Sequence, residues 1–214
     1  AINAKYIHSN LAVYCLKSYA AKREIEVELT EYTINHRRDD ILMDIYQRKP
    51  DVVAFSCYIW NLEFVQDIAA DLYKVLPDLE IWGGGPEVSY DAEKFLAKHP
   101  EFRGIMKGEG ERTFCELAGL YQIYGKEAVN KLDECHGIVW RDPKGEISQG
   151  LPQAPISLDE VPFIYEEKEE SEILSVATAP SEEALPLLLK RLQEETRPYD
   201  WTDKENLRIR LLEM

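Results

Sequence analysis

Two periodicities of apolar residues alternate along the chain up to about residue 125. Short apolar runs, such as residues 52–56, have the continuous apolar character of a central strand that is covered on both faces of a parallel sheet. Residues 62–76 instead carry one apolar stripe at helical spacing, and Pro77 follows it. This strict alternation predicts an α/β fold with a doubly wound, parallel five-stranded sheet of flavodoxin or Rossmann type, in the strand order 2-1-3-4-5.

The remaining segments of this alternation follow the same two patterns. Residues 1–3 resemble the end of a strand, so we expect the chain to start inside its first element. Residues 26–34 alternate apolar and acidic positions, as expected of an outer strand. We predict further strands at 79–82 and 104–107, and helices at 9–22, 40–49, 91–98 and 111–124.

The pattern changes after Gly125. Residues 136–140 and 146–148 flank a four-residue turn at 142–145, which predicts a small hairpin. A proline-containing connector, a nearly all-acidic stretch at 166–172 and one amphipathic helix follow. We therefore divide the chain into an α/β domain at 1–127, a hairpin and extended connector at 128–165, and an acidic linker with a helical tail at 166–214.

The composition indicates a soluble globular protein. Its 214 residues are 45% hydrophobic and carry a formal net charge of −15. That charge argues against nucleic acid or an anionic membrane surface as a partner. The sequence contains no apolar run of about 18 residues that could cross a bilayer, and no secretory signal peptide. We expect a cytoplasmic location and reduced cysteines.

Two glycine clusters directly follow neighbouring predicted strands. Residues 83–87 read GGGPE, and residues 108–111 read GEGE. Both clusters lie where α/β folds bind their ligands, at the carboxyl ends of parallel strands. Glycine there lets a ligand contact the main chain without an intervening side chain. Each cluster alone is explained equally well by the turn after its strand, but two such ends side by side favour a wide ligand slot.

Several common cofactor motifs are absent from the sequence. The loop after the first strand, residues 3–10, contains no glycine and so lacks the GxGxxG fingerprint of NAD and FAD domains. There is no GxxxxGK(S/T) phosphate loop, and Ser56 lies in the sequence AFSCY rather than in a GxSxG elbow. The four cysteines form no CxxC or CxxxCxxC unit, so no local zinc or iron–sulfur site is predicted.

The order of these features resembles the cobalamin-binding domains at the amino end of cobalamin-dependent radical SAM enzymes. In that family a serine closes the third strand, a GGP motif the fourth and a GEGE motif the fifth. Ser56, residues 84–86 and residues 108–111 match this pattern in order and spacing. The sequence LDEVPF at 158–163 is also similar to the family's lead-in to its radical domain. The resemblance covers about residues 1–165 and implies cobalamin as the ligand.

The resemblance implies a base-off mode of binding, in which the dimethylbenzimidazole tail leaves the cobalt and descends beside the fourth and fifth strand ends. The corrin then lies flat over the carboxyl edge of the sheet. A side chain at Gly84 or Gly85 would occupy the channel of the tail, while Ser56 is expected to hydrogen-bond the nucleotide. The cofactor-binding residues implied in this way are Lys5, His8, Ser9, Ser56, Tyr58, Trp60, Asn61, Gly83, Gly84, Gly85, Pro86, Glu87, Gly108, Glu109, Gly110 and Glu111.

One departure from the family pattern concerns cobalt ligation. Mutases and methionine synthase relatives use DxHxxG, whose histidine ligates cobalt, but Tyr6 and Leu11 replace the Asp and the Gly around His8. Because the orienting carboxylate is missing, we expect no histidine ligand, with His8 lining the pocket or starting the following helix.

A second departure is that the chain lacks the CxxxCxxC motif of the radical SAM domain. A [4Fe-4S] cluster and S-adenosylmethionine are therefore expected only in a full-length protein that carries the radical SAM domain in cis. The chain is expected to be a fragment or the product of an internal deletion. In either case we expect it to bind the cofactor for methyl transfer or a related radical reaction, without catalysing that reaction alone.

Two other functions remain open on the residues alone. A flavodoxin-like domain that binds or senses a nucleotide or small molecule would use the same sheet edge. A receiver of this type needs acidic residues where residues 3–5 and Ser56 stand. A transferase of the glycosyltransferase type would need a carboxylate pair for a metal, which the sequence does not offer.

Overall fold

The computed structural model describes residues 1–3 and 10–162. The chain divides into two compact units, Ala1–Ile164 and Tyr165–Met214, and the described residues belong to the first. The predicted acidic linker and helical tail at 166–214 lie outside the described residues. The same holds for the predicted loop residues Lys5, His8 and Ser9.

Strands and helices alternate through most of this unit, as the apolar pattern predicts. The strands are β1 (Ile2–Asn3), β2 (Tyr32–Thr33), β3 (Val52–Ser56), β4 (Glu80–Gly84), β5 (Gly104–Met106), β6 (Ile138–Arg141) and β7 (Ile147–Gln149). The helices are α1 (Leu11–Ala21), α2 (Arg38–Arg48), α3 (Leu62–Val75), α4 (Pro86–Ser89), α5 (Ala92–Lys98) and α6 (Gly110–Tyr124). Short 3-10 segments lie at Gly125–Asn130, Leu132–Glu134 and Leu158–Glu160.

The main sheet is mixed rather than parallel throughout. Strands β3, β4 and β5 run parallel, and the predicted hairpin adds β6 and β7 antiparallel beyond β5, in the order β3-β4-β5-β6-β7. The α/β fold with a parallel core is confirmed, whereas a single sheet of five parallel strands is not observed among the described residues. The hairpin pairs with the free edge of β5 because an unpaired strand edge leaves backbone donors and acceptors unsatisfied.

The predicted strand order 2-1-3-4-5 is not observed among the described residues, where β1 pairs in parallel with β2 and β3 pairs with β4 alone. Among the described residues β3 is therefore an edge strand with Ala54 exposed, not the central covered strand predicted. The Asn61 side-chain amide joins the two sheets instead, donating to the carbonyl oxygens of Ile2 (2.7 Å) and Ser56 (2.9 Å).

Each face of the main sheet has its own apolar cluster, because side chains alternate between the faces along a strand. Ile81 and Ile105 pack on one face with α3 residues such as Ile68. Trp82 and Met106 pack on the other face with residues of α6, the hairpin and the segment between them: Leu117, Leu132, Cys135, Ile138 and Trp140. Among the described residues, no helix is both long and apolar enough to cross a membrane.

Candidate functional site

The carboxyl ends of three parallel strands lie side by side and in register. Ser56 at the end of β3 is paired with Gly84 at the end of β4, and Gly84 is paired in turn with Met106 at the end of β5. A main-chain hydrogen bond of 2.7 Å from the Cys57 amide to the Gly84 carbonyl extends the β3–β4 ladder one residue beyond Ser56. The structure therefore brings together the strand ends that carry the serine and the two glycine clusters.

A cavity of about 1330 Å³ opens at these strand ends. It continues along the free edge of β3 towards residues 26–30 and the inner faces of α1 and α6. Its volume exceeds the roughly 300–1,000 Å³ of pockets for drug-sized ligands. Predicted site residues that line the cavity are Ser56, Tyr58, Gly84, Gly85, Pro86, Gly108, Gly110 and Glu111.

Five other predicted residues of the described part do not line the cavity. The ring of Trp60 stacks on the ring of Tyr58, which does line the cavity, with ring centroids 4.6 Å apart and an interplanar angle of 4°. Asn61 is buried and bridges β1 and β3 with its side chain. The others are Gly83, Glu87 and Glu109.

The three consecutive glycines of the first cluster have different surroundings. A Cβ atom on Gly83 would lie 2.8 Å from Ile105 Cδ1, on the face of the sheet opposite Trp82. Gly85 has a φ of +104°, and a Cβ there would lie 2.5 Å from the Cys57 carbonyl oxygen. A Cβ on Gly84 would meet Met106 at ordinary distances, 3.5 Å from its side chain and 3.8 Å from its carbonyl oxygen. Backbone geometry thus requires glycine at 85, and a side chain at 83 would make Ile105 shift, whereas Gly84 is a cavity-lining position that the fold alone leaves free.

The second cluster has fewer packing constraints. Gly108 has a φ of +75°, and no described atom lies within 4 Å of the place where its Cβ would stand. Gly110 opens α6, and a Cβ there would approach Leu16 Cδ2 of α1 to 2.9 Å. Gly108 therefore exposes bare main chain to the cavity, while Gly110 allows α1 and α6 to pack closely.

The two glutamates of the second cluster have separate surroundings. The Glu109 carboxylate accepts a hydrogen bond of 2.8 Å from the Ile156 amide in the connector. One turn later, Arg112 forms a 2.7 Å ion pair with Glu160. Glu111 lines the cavity and lies close enough to Cys15 to add to the burial that raises the pKa of that thiol. The first turn of α6 therefore contacts the connector on one side and the cavity on the other.

Two neighbouring polar side chains at the end of β3 differ in chemistry. The Ser56 hydroxyl is partly accessible and makes no hydrogen bond to any residue that the structure describes. The Cys57 side chain is fully buried, and burial raises the pKa of its thiol to about 12 despite a backbone hydrogen bond at Gly84 that acts in the opposite direction. Ser56 is thus available to a ligand, while Cys57 stays protonated and inert.

Sequence reasoning missed several residues that line the cavity. Lys107 precedes the second glycine cluster, Ser89 ends α4, and Tyr90 directly follows that helix. On α6, Phe114 and Tyr121 lie seven residues apart on one face, a spacing from which their position could have been found. The Tyr121 hydroxyl accepts a 3.1 Å hydrogen bond from the Trp82 indole, and burial raises the pKa of this phenol.

Within residues 1–3 and 10–162, no three His, Cys, Asp or Glu side chains converge in a way that could hold a metal ion. The described site is instead a large, mainly apolar cleft with bare main chain and a few free polar groups at its mouth.

Comparison with known proteins identifies relatives of this chain. A protein-family model described as B12 binding domain matches residues 1–118. The chain is 38% identical over 69 residues to the cobalamin-dependent radical SAM methyltransferase TokK of Streptomyces tokunonensis, which covers 32% of this chain and 10% of that protein. It is 26% identical over 158 residues to 4'-phospho-dehydrooxetanocin synthase of Priestia megaterium, which covers 72% of this chain and 20% of that protein.

A solved structure has the same fold. The cobalamin-dependent S-adenosylmethionine radical enzyme OxsB, with aqua-cobalamin and S-adenosylmethionine bound, matches with a TM-score of 0.61 at 21% identity. The match covers 75% of this chain and 23% of that chain. This chain spans no more than a fifth of the length of either curated relative above.

Proposed function

The chain belongs to the B12-binding domain family, and from this membership we propose that it holds cobalamin base-off, with the nucleotide tail inserted at the ends of β4 and β5. One observation carries the proposal. Gly84 lines the cavity at the centre of three aligned strand ends, and the packing of the fold does not itself require a glycine there. Its missing side chain is explained by a ligand that passes this point.

The other groups at the cavity mouth fit a ligand with a flat ring system and a polar tail. The Ser56 hydroxyl has no partner among the described residues, so a nucleotide oxygen or nitrogen can take it as a hydrogen-bond partner. Tyr58 and Trp60 form a stacked aromatic pair beside the opening, and such a surface suits the face or edge of a macrocycle. Gly108, which follows β5, offers bare main chain on the side of β4 opposite Ser56.

The inner cavity fits the remainder of the tail. Trp82, Met106, Phe114 and Leu117 line it with apolar surface. A detached benzimidazole is an apolar aromatic bicycle, and its burial here would remove its own surface and the exposed part of Phe114 from water. The volume of the cavity is larger than a nucleotide tail alone requires, and it leaves room for the adjoining part of the corrin.

We propose further that the chain is the cofactor-binding part of a longer radical SAM methyltransferase. TokK is such an enzyme by name, and this chain spans a small part of the length of both curated relatives. The chain contains no CxxxCxxC motif, so the iron–sulfur cluster and S-adenosylmethionine would be bound by residues beyond this sequence. Cobalamin supplies a cobalt centre that can carry a methyl group. In this proposal the domain at 1–127 binds and orients it, and 128–165 leads to the radical domain.

Retention of cobalamin by the purified protein tests the proposal. The protein is mixed with hydroxocobalamin and desalted, and its visible spectrum is recorded. We expect the corrin bands to elute with the protein at close to one equivalent. The Gly119→Ala variant serves as a control and should retain the corrin bands. Gly119 lies within α6, outside the cavity lining, and a Cβ there would make only an ordinary 3.4 Å contact with Ile25. Protein that elutes without corrin bands would contradict cobalamin binding.

A further inference from the structure

We propose that Lys107 binds the phosphodiester of the nucleotide tail and so selects complete cobalamin over corrinoids that lack the tail. This inference rests on the proposed function and concerns the same cavity. The phosphodiester is the one anionic group in a periphery of neutral amides, so a single well-placed cation is enough to recognise it.

The position of Lys107 places it beside the proposed tail channel. It directly follows Met106, which pairs with Gly84, and it lines the cavity. Its main-chain amide donates a 2.7 Å hydrogen bond to the Gly137 carbonyl in the segment that enters β6, which holds this part of the backbone against the sheet. The side chain therefore starts from a fixed point one residue beyond the end of β5.

The charge of Lys107 has no counter-ion in the described structure. Its ammonium group has no ion-pair partner within residues 1–3 and 10–162. The other cationic side chains of the cavity lining are engaged: Arg48 contacts Asp44 and Glu28, and Lys17 also has a partner.

The positive charge of Lys107 at this edge of the sheet is opposite in sign to the net charge of the chain. The formal net charge is −15, which repels an approaching anion. Glu111, the acidic residue nearest in sequence that lines the cavity, lies near Cys15 of α1. Lys107 is therefore the side chain best suited to offset the cost of bringing a phosphodiester to the strand ends.

Titration with two corrinoids tests this assignment. Hydroxocobalamin contains the phosphodiester, whereas dicyanocobinamide lacks the whole nucleotide tail. We expect Lys107→Gln to weaken hydroxocobalamin binding about 10-fold to 100-fold, as the loss of one charge-assisted hydrogen bond predicts, and to leave cobinamide binding within about twofold. Lys107→Arg should retain most of the affinity. Lys98→Gln removes the same charge from an exposed site outside the cavity and should change neither titration.

The salt dependence of binding gives a second readout that does not depend on cobinamide. Affinity of the unchanged protein for hydroxocobalamin should fall as NaCl rises, and Lys107→Gln should flatten that dependence. Equal weakening of both corrinoids, or a Lys107→Gln variant that binds hydroxocobalamin normally, would overturn the inference while the proposed function stands. Failure of the unchanged protein to bind hydroxocobalamin would overturn both.

Discussion

The two glycine-bearing strand ends look alike in sequence but differ in structure. After β4, a Cβ at Gly85 would collide with backbone, and a Cβ at Gly83 would make the Ile105 side chain shift. After β5, Gly108 faces open space at a positive φ. Gly84 is the position of the first cluster that most resembles Gly108, since a Cβ there would make only ordinary contacts with Met106. A glycine motif at a strand end therefore mixes fold requirements with ligand requirements, and local geometry separates them.

The largest effect should come from Gly85→Ala. An alanine would have to adopt a φ of +104° with its Cβ 2.5 Å from the Cys57 carbonyl oxygen, so the β3 and β4 ends must separate. We expect a loss of about 3 kcal/mol or more in the free energy of unfolding, measured by urea denaturation. An unchanged free energy of unfolding for this variant would show that the ends of β3 and β4 are not held as close together as the 2.5 Å approach implies.

Gly84→Leu should separate binding from folding. The leucine side chain can extend into the cavity past Met106, so stability should change by no more than about 1 kcal/mol, while hydroxocobalamin binding should weaken about 100-fold or more. Titration calorimetry and urea denaturation on the same preparations measure both quantities, with Gly119→Ala as the control. Unchanged affinity would remove the tail channel from its proposed position.

Gly108→Ala should have a smaller effect that falls mainly on stability. The positive φ of +75° costs an alanine about 1 kcal/mol, and no described atom obstructs its methyl group. We expect thermal unfolding a few degrees lower and cobalamin affinity reduced by less than about tenfold. If affinity fell as far as in Gly84→Leu, the two strand ends would contribute equally to the channel, and the contrast between them would be lost.

Glu109→Ala should have the smallest effect on binding. This carboxylate contacts the Ile156 amide rather than the cavity, so its loss should speed hydrogen exchange at Ile156 and change global stability by no more than about 1 kcal/mol. Glu111→Ala, on the cavity side of the same turn, is the matched comparison. Loss of cobalamin binding in Glu109→Ala alone would return Glu109 to the predicted ligand contacts.

Much of the fold could be predicted from local patterns. Three elements are specified by residues that lie close together in the chain. They are α3 with its apolar stripe, the turn at 142–145 with its turn residues, and β3 with its continuous apolar run. The pairing of β1 with β2 could not be predicted, because the partner of a strand is chosen by long-range contacts that the local pattern does not contain.

The candidate site was predictable in its location but not in its details. The motifs placed Ser56 and both glycine clusters at one edge of the sheet. They could not show which of three successive glycines faces the cavity, because that depends on side-chain alternation along β4 and on the neighbouring strands. They also could not show that Glu109 contacts Ile156, 47 residues away in the chain. All of the cofactor-binding assignments stay predictions, and Lys5, His8 and Ser9 also lie outside the described residues.

The position of the cofactor tail is tested most directly by electron paramagnetic resonance of bound cob(II)alamin that carries ¹⁵N in its benzimidazole ring. In the proposed complex the benzimidazole has left the cobalt for the cleft beside Gly84, so the cobalt lines should show no doublet splitting from ¹⁵N. A ¹⁵N doublet at saturating protein would show that the tail is still coordinated to cobalt, and it would contradict the account.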